Sequence, residues 1–198
     1  MTVTKIKGLS FTEYLTFSDG TDTRYELVEG ELVPMALGTG RHGQIIDRTY
    51  QALRQKITEM AMPWAVIQGQ VGVRIPRGFG LATVRIPDLV VMKLTDWQSL
   101  QDKPAVIDFD LAPPVLVVEV VSPSTKNIDY RTKRTEYAGR DIPEYWIIDP
   151  IEYKISVLIN SDGWYDLQEF GMEQMIIISP TFGELQISLD IHLGQEER

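Results

Sequence analysis

The amino-acid sequence predicts a single α+β domain, and three observations lead there. Val115 to Val121 is a near-continuous apolar run of strand length, as expected at the centre of a covered sheet. Between His42 and Met60, Ile45, Ile46, Thr49, Leu53 and Ile57 recur at helical spacing. No repeat, low-complexity tract or linker interrupts the 198 residues, and 43% hydrophobic residues are enough for one substantial core. Residues 1–8 and 194–198 are expected to be flexible ends.

From the N-terminus, Ser10 to Asp22 carries Phe11, Tyr14, Leu15 and Phe17 at helical spacing, with Ser10 as N-cap and Glu13 at the capping-box position. Arg24 to Met35 holds two short apolar pieces around Glu29-Gly30, a hairpin signal. Gly38-Thr39-Gly40 breaks the chain before the His42–Met60 helix, which Pro63 ends. Trp64 to Ile75 has strand composition, with Gly69 and Gly72 marking a bend. After a turn at 77–80, Val84 to Met92 reads as one strand with Pro87-Asp88 at its head. Thr95 to Pro113 is a long acidic loop anchored by Trp97. Thr125 to Gly139, behind the Val115–Val121 strand, reads as an amphiphilic helix stopped by Gly139 and Pro143. Glu144 to Asp149 is a further strand. Residues 154–159, 164–170 and 174–178 form a meander, and the alternation from Leu185 to Leu193 predicts a last strand.

Composition narrows the chemistry. The chain has no cysteine, which excludes disulfides, thiolate metal sites and a cysteine nucleophile. No apolar stretch approaches the roughly 20 residues of a membrane span. Met1 to Gly8 lacks the apolar core and cleavage site of a signal peptide, so a cytoplasmic location and no membrane partner are expected. The net charge of −9 argues against strong non-specific affinity for DNA. Nucleic acid would need a local basic patch or divalent cations.

Glu119 is the residue that needs explaining, because it is a carboxylate inside an apolar strand. Burying it unpaired costs several kcal/mol (a rough figure), so it should have a cation, a metal or a proton. If the Asp88 and Glu119 strands pair antiparallel, the start of one lies beside the end of the other and the two carboxylates meet. Mg²⁺ is the natural bridge, taking one or two carboxylates, a carbonyl and several waters. Val121, two residues after Glu119 on the same face, offers no charge. Asp129, Lys133 and Tyr137 fall at i, i+4 and i+8 of the next helix, so Lys133 can bring an ammonium to the Glu119 end.

Pro87-Asp88, the Leu-Val-Val-Glu-Val-Val-Ser-Pro-Ser-Thr run, the Asp-x-x-x-Lys-x-x-x-Tyr helix and Ile-Pro-Glu-Tyr-Trp-Ile-Ile-Asp-Pro together resemble the Uma-type endonuclease-like family of the PD-(D/E)XK nuclease superfamily. Tyr25 to Leu32 and the His42 helix extend the likeness over nearly the whole chain. The resemblance implies a restriction-endonuclease-like mixed sheet flanked by helices, with additional N- and C-terminal strands. It also implies Mg²⁺-dependent hydrolysis of DNA, with Mn²⁺ as a possible substitute. Asp88 and Glu119 would be metal ligands, joined by Val120 through its carbonyl. Lys133 would be the catalytic lysine relocated onto the helix, His42 an auxiliary site residue and Glu31 a weaker one. A homodimer is the further implication. Two departures stand out: Val121 replaces the strand lysine, and Asp141 stands where a glycine commonly precedes the Ile-Pro-Glu-Tyr-Trp segment.

Simpler roles compete with these. Asp88 can be a turn aspartate after proline, Glu119 one half of a buried ion pair with Lys133 or Arg131, Lys133 a solvated helix residue and His42 a packing residue. Ser122 and Ser124 have no histidine placed to activate them, so helix capping explains them better. His192 reads as a strand residue. Beside the endonuclease stand two other functional classes. One is a catalytically inactive nuclease fold acting as a binding or assembly module; the other is carboxylate acid/base hydrolysis of a glycoside, which needs no metal.

Overall fold

A computed structural model describes residues 8–78, 80–171 and 176–187. It builds three sheets and sets helices against the largest of them. The first helix, α1 (Phe11–Leu15), is shorter than expected, but its capping box is formed as predicted: the Ser10 hydroxyl accepts from the Glu13 backbone N–H, and the Glu13 carboxylate accepts from the Ser10 N–H. The predicted hairpin is β1 (Tyr25–Val28) paired antiparallel with β2 (Glu31–Pro34). Glu29 and Gly30 form the turn, both at positive φ.

The long helix α2 (Gly40–Glu59) is capped by Thr39, whose hydroxyl accepts from the His42 N–H. It buries Ile45, Thr49, Leu53 and Ile57, and Ile46 is half-buried. Behind it come β3 (Trp64–Gln68) and β4 (Gly72–Ile75), separated by the predicted bend at Gly69.

The expected strand Val84–Met92 is two strands, β5 (Thr83–Arg85) and β6 (Leu89–Lys93), and they belong to different sheets. Pro87 lacks the N–H that a continuous ladder requires, so the chain crosses from one sheet to the other at Pro87-Asp88. The loop expected from Thr95 to Pro113 contains α3 (Leu94–Gln98), with Trp97 half-buried, and the short strand β7 (Val106–Ile107), which runs parallel to β4.

The central strand is β8 (Leu116–Val120), buried at every residue. It pairs antiparallel with β6, and with β9 (Glu144–Asp149) it makes the parallel pair of the sheet. The connection between β8 and β9 is helical, as a parallel crossover demands. It is not the uniform α-helix expected from Thr125 to Gly139: residues Ile128–Lys133 form a π-helical segment, followed by α4 (Arg134–Gly139). Asp141 then takes φ 58°, the left-handed conformation that aspartate tolerates better than most residues.

Strands β10 (Lys154–Ser161) and β11 (Trp164–Gly171) continue the sheet antiparallel, giving the order β11-β10-β9-β8-β6-β3. The third strand of the expected meander, β12 (Ile176–Ser179), leaves that sheet and pairs with β13 (Gly183–Gln186) instead. The remainder of the expected last strand, His192 included, lies outside the described residues.

Two apolar layers cover the six-stranded sheet. On one face, Leu89, Val91, Leu116, Val118, Trp146 and Ile148 pack with Ile45, Leu53 and Ile57 of α2. On the other, Val90, Val117, Val121, Tyr145 and Ile147 pack with Tyr137 and Ala138 of α4. The alternation along β8 therefore sends Glu119 toward the α4 layer. Leu53 is fully buried at the α2 interface. Leu53→Ala is expected to cost about 2–5 kcal/mol, read as a lowered midpoint in urea unfolding followed by circular dichroism.

Candidate active site

The site forms where β6 begins and β8 ends. Leu89 pairs with Val118, so one step further along the antiparallel ladder sets Asp88 beside Glu119. Asp88 Oδ2 accepts from the Val120 N–H at 2.7 Å, and the Asp88 carbonyl accepts from the Gly69 N–H at 2.9 Å. Both ends of the residue are thereby tied to neighbouring strands.

The first turn of α2 lowers His42 onto this junction. Its Nε2 lies 3.0 Å from the Val120 carbonyl oxygen and 3.4 Å from Asp88 Oδ2. A carbonyl only accepts, so Nε2 carries a hydrogen and donates. The hydrogen bond to Asp88 raises the imidazole pKa; burial opposes this, and the Asp88 charge, the Val120 carbonyl and Asp129 support it.

Glu119 is 4% exposed and Lys133 6%, so neither is a surface group. Lys133 Nζ lies 2.9 Å from Glu119 Oε1 and 3.1 Å from Asp129 Oδ1. Tyr137 donates its phenol hydrogen to the same Glu119 Oε1 at 2.7 Å. Burial pushes the Glu119 carboxyl up to about 8; the Lys133 charge pulls it down, and Asp129, Asp88 and Glu26 raise it again. Burial works against the Lys133 ammonium, but the Glu119, Glu26 and Asp129 carboxylates overcome it and raise its pKa.

The π-helical segment makes this convergence possible. In a straight α-helix each four-residue step drifts by about 40° around the axis. Asp129, Lys133 and Tyr137 would then fan out across the surface. A wider π turn between Asp129 and Lys133 winds back that drift, and the two side chains face Glu119 together with Tyr137.

A second ion network holds the helix in place. Arg85 is 3% exposed and grips Glu136 of α4 with both arms of its guanidinium, Nε to Oε2 at 2.7 Å and Nη2 to Oε1 at 3.0 Å. Its Nη1 reaches Glu26 Oε2 of β1 at 2.9 Å, and Arg77 joins Glu136 from the side. The β1–β2 hairpin thus reaches the site through Glu26. The predicted auxiliary residue Glu31 opens β2 at the hairpin turn, one strand further out. Glu26 was missed because nothing in Tyr-Glu-Leu-Val distinguishes it from a surface alternation.

Glu144 provides a contrast. It is 1% exposed on the parallel neighbour of β8. Among the described residues its carboxylate takes neutral donors: the Trp146 indole N–H, the Ser179 hydroxyl and the Thr181 N–H. It is a structural carboxylate, whereas Glu119 faces an ammonium and two further acids. Ser122 and Ser124 hydrogen-bond each other and Ser122 contacts the Thr125 hydroxyl, so their side chains brace the corner before the helix and do not cap it as expected.

Among the described residues, no three His, Cys, Asp or Glu side chains converge to hold a metal unaided. What Asp88, Glu119 and Val120 offer is a smaller set of hard oxygens: two carboxylates and a backbone carbonyl. Such a set suits a small divalent cation that keeps several of its waters, in a place where negative charge exceeds positive.

The family described as "Uma2: Putative restriction endonuclease" matches residues 11–191. No curated protein matches the chain. Among solved structures, one titled a putative nuclease belonging to DUF820 from Anabaena variabilis is similar, with a TM-score of 0.69 and 16% sequence identity. The match covers 92% of this chain and 97% of that one. At that identity the likeness establishes the fold, a restriction-endonuclease-like mixed α+β architecture as the sequence led us to expect.

Two outcomes follow from the geometry. Arg85→Ala leaves the buried Glu136 carboxylate with Arg77 but without its two-point grip, and is expected to destabilise by about 1–3 kcal/mol in urea unfolding. The second concerns pH. His42 and Glu119 both have folded pKa values above their ordinary ones, so the stability they contribute is present at low pH and lost as pH rises. Unfolding free energy is expected to decline between about 4.5 and 8 for Glu119 and from about 6.5 upward for His42. Glu119→Gln should flatten the first part of that decline and His42→Asn the second, each read from urea melts across that range.

Proposed function

Since the chain belongs to the Uma2 family, described as putative restriction endonucleases, we propose that it is a divalent-metal-dependent endonuclease that hydrolyses DNA phosphodiester bonds. The observation that carries this is that Asp88, held by the Val120 N–H, sits one ladder step beyond the Leu89–Val118 pair and so beside Glu119, which has a buried lysine on it. Asp88, Glu119 and the Val120 carbonyl would hold the cation, Mg²⁺ or in its place Mn²⁺. When bound, it polarises the scissile phosphate and lowers the pKa of a water.

The chain's own residues supply the rest. The Lys133 ammonium, beside Glu119, would orient the attacking water or balance charge developing on the phosphate. Tyr137 donates to the same Glu119 Oε1 and so restrains the carboxylate's rotamer. His42 keeps a proton on Nε2 at the Asp88–Val120 junction and positions that edge. The attacking water loses a proton, the new P–O bond forms and the leaving oxygen takes a proton as its bond to phosphorus breaks. With a net charge of −9, affinity for DNA is expected to depend on few phosphate contacts and to fall with salt. A homodimer would place two such sites on opposite strands.

The test is nicking of supercoiled plasmid by purified protein at low salt with Mg²⁺ or Mn²⁺. Cleavage is expected, with abolition by chelator and a loss of at least about a hundredfold in Glu119→Gln and in Lys133→Met. Cleavage of RNA but not DNA would change the substrate. No cleavage of either with any divalent metal would leave a catalytically inactive fold used for binding or assembly.

A further inference from the structure

Asp129 has no role in the scheme above, yet it is among the most deeply buried acids of the chain, at 1% exposure. Neither of its carboxylate oxygens has an aligned hydrogen-bond donor among the described residues. Lys133 Nζ lies 3.1 Å from Oδ1, close enough for strong attraction but off the line of a hydrogen bond. The same ammonium lies 2.9 Å from Glu119 Oε1, likewise as an ion pair. A buried carboxylate with empty acceptor positions is costly and calls for an explanation. Here one ammonium lies between two carboxylates; Glu119 also has the Tyr137 hydroxyl as a hydrogen-bond donor, and Asp129 has no such donor among the described residues.

From this arrangement we infer that Asp129 is a positioning residue: it receives the Lys133 ammonium when a divalent cation takes Glu119. This rests on the cation-dependent reading of the site given above. A cation and an ammonium compete for the Glu119 carboxylate, since both are drawn to the same oxygens. Without a second acceptor, Lys133 would either block the cation or be left buried and unpaired, which is strongly unfavourable. Asp129 removes that conflict. The ammonium needs only a short rotation of its flexible stem to trade Glu119 for Asp129, and it stays beside the reacting centre. The π-helical segment makes the exchange local, because it sets Asp129 and Lys133 on the same face toward Glu119.

The experiment is Mn²⁺ calorimetry on wild type, Asp129→Asn, Lys133→Gln and the double variant, each checked for folding by thermal melting. Asp129→Asn is expected to weaken Mn²⁺ binding roughly tenfold in the presence of Lys133, within the range of coupling between residues in contact, and to change it little in the Lys133→Gln background. An equal loss in both backgrounds would make Asp129 a direct ligand or a distant charge and overturn the inference. No loss in either would overturn it as well. Absence of Mn²⁺ binding by the folded wild type would remove the cation site itself, and is thereby distinguishable from failure of the Asp129 role alone. Should Lys133→Gln not fold, a crystal structure of the wild type with Mn²⁺ decides. Lys133 Nζ hydrogen-bonded to Asp129 and withdrawn from Glu119 bears the inference out, and Nζ still on Glu119 overturns it.

Discussion

The constraint on which the rest of this structure depends is that Glu119, a carboxylate, is buried in the central strand. Every flanking residue of β8 is apolar, so water cannot pay for that charge and the neighbouring elements must. Lys133 and Tyr137 are brought to Oε1 by the crossover helix, and the helix is in turn secured by Arg85 gripping Glu136. The ion network between β1, β5 and α4 is thus a second layer behind the first. It ties the hairpin sheet to the same helix that serves the central sheet.

This layering explains why the site is rigid in some directions and open in others. Asp88 is tied by its backbone to Gly69 and by its side chain to Val120. Tyr137 packs edge to face on Tyr145, with ring centres 5.0 Å apart, so the phenol that steers Glu119 has little room to turn. Lys133, by contrast, has a flexible stem and two acids within reach. Among the described residues, no helix is long and apolar enough to cross a membrane.

Much of this was legible in the sequence, for reasons that can be named. The apolar run around Glu119 and the helical spacing from Ile45 to Ile57 reflect strong burial, and burial leaves a clear pattern. The Ser10–Glu13 capping box and the Glu29-Gly30 turn are local and depend on a few adjacent residues. The break at Pro87-Asp88 was misread because Val84 to Met92 has uniform strand character; only the missing N–H of Pro87 and the competition of two sheets divide it. The π-helical turn was invisible, since Asp-x-x-x-Lys-x-x-x-Tyr is as compatible with an α-helix. Glu26 joined the site through Arg85 and the Ile86 N–H, contacts across 59 and 60 positions of chain that no local pattern encodes.

The split at Pro87-Asp88 has a mechanical side. Asp88 is the residue at which the chain changes sheet, three positions after Arg85 of the hairpin sheet and directly before Leu89 of the central one. Glu119 lies deep in the central sheet. A displacement of the hairpin sheet would reach Asp88 through the short link from Arg85, and Glu119 through the Arg85–Glu136 ion pair and the helix that carries Lys133. The placing of the two acids therefore depends on how the sheets sit together as well as on the residues that touch the site.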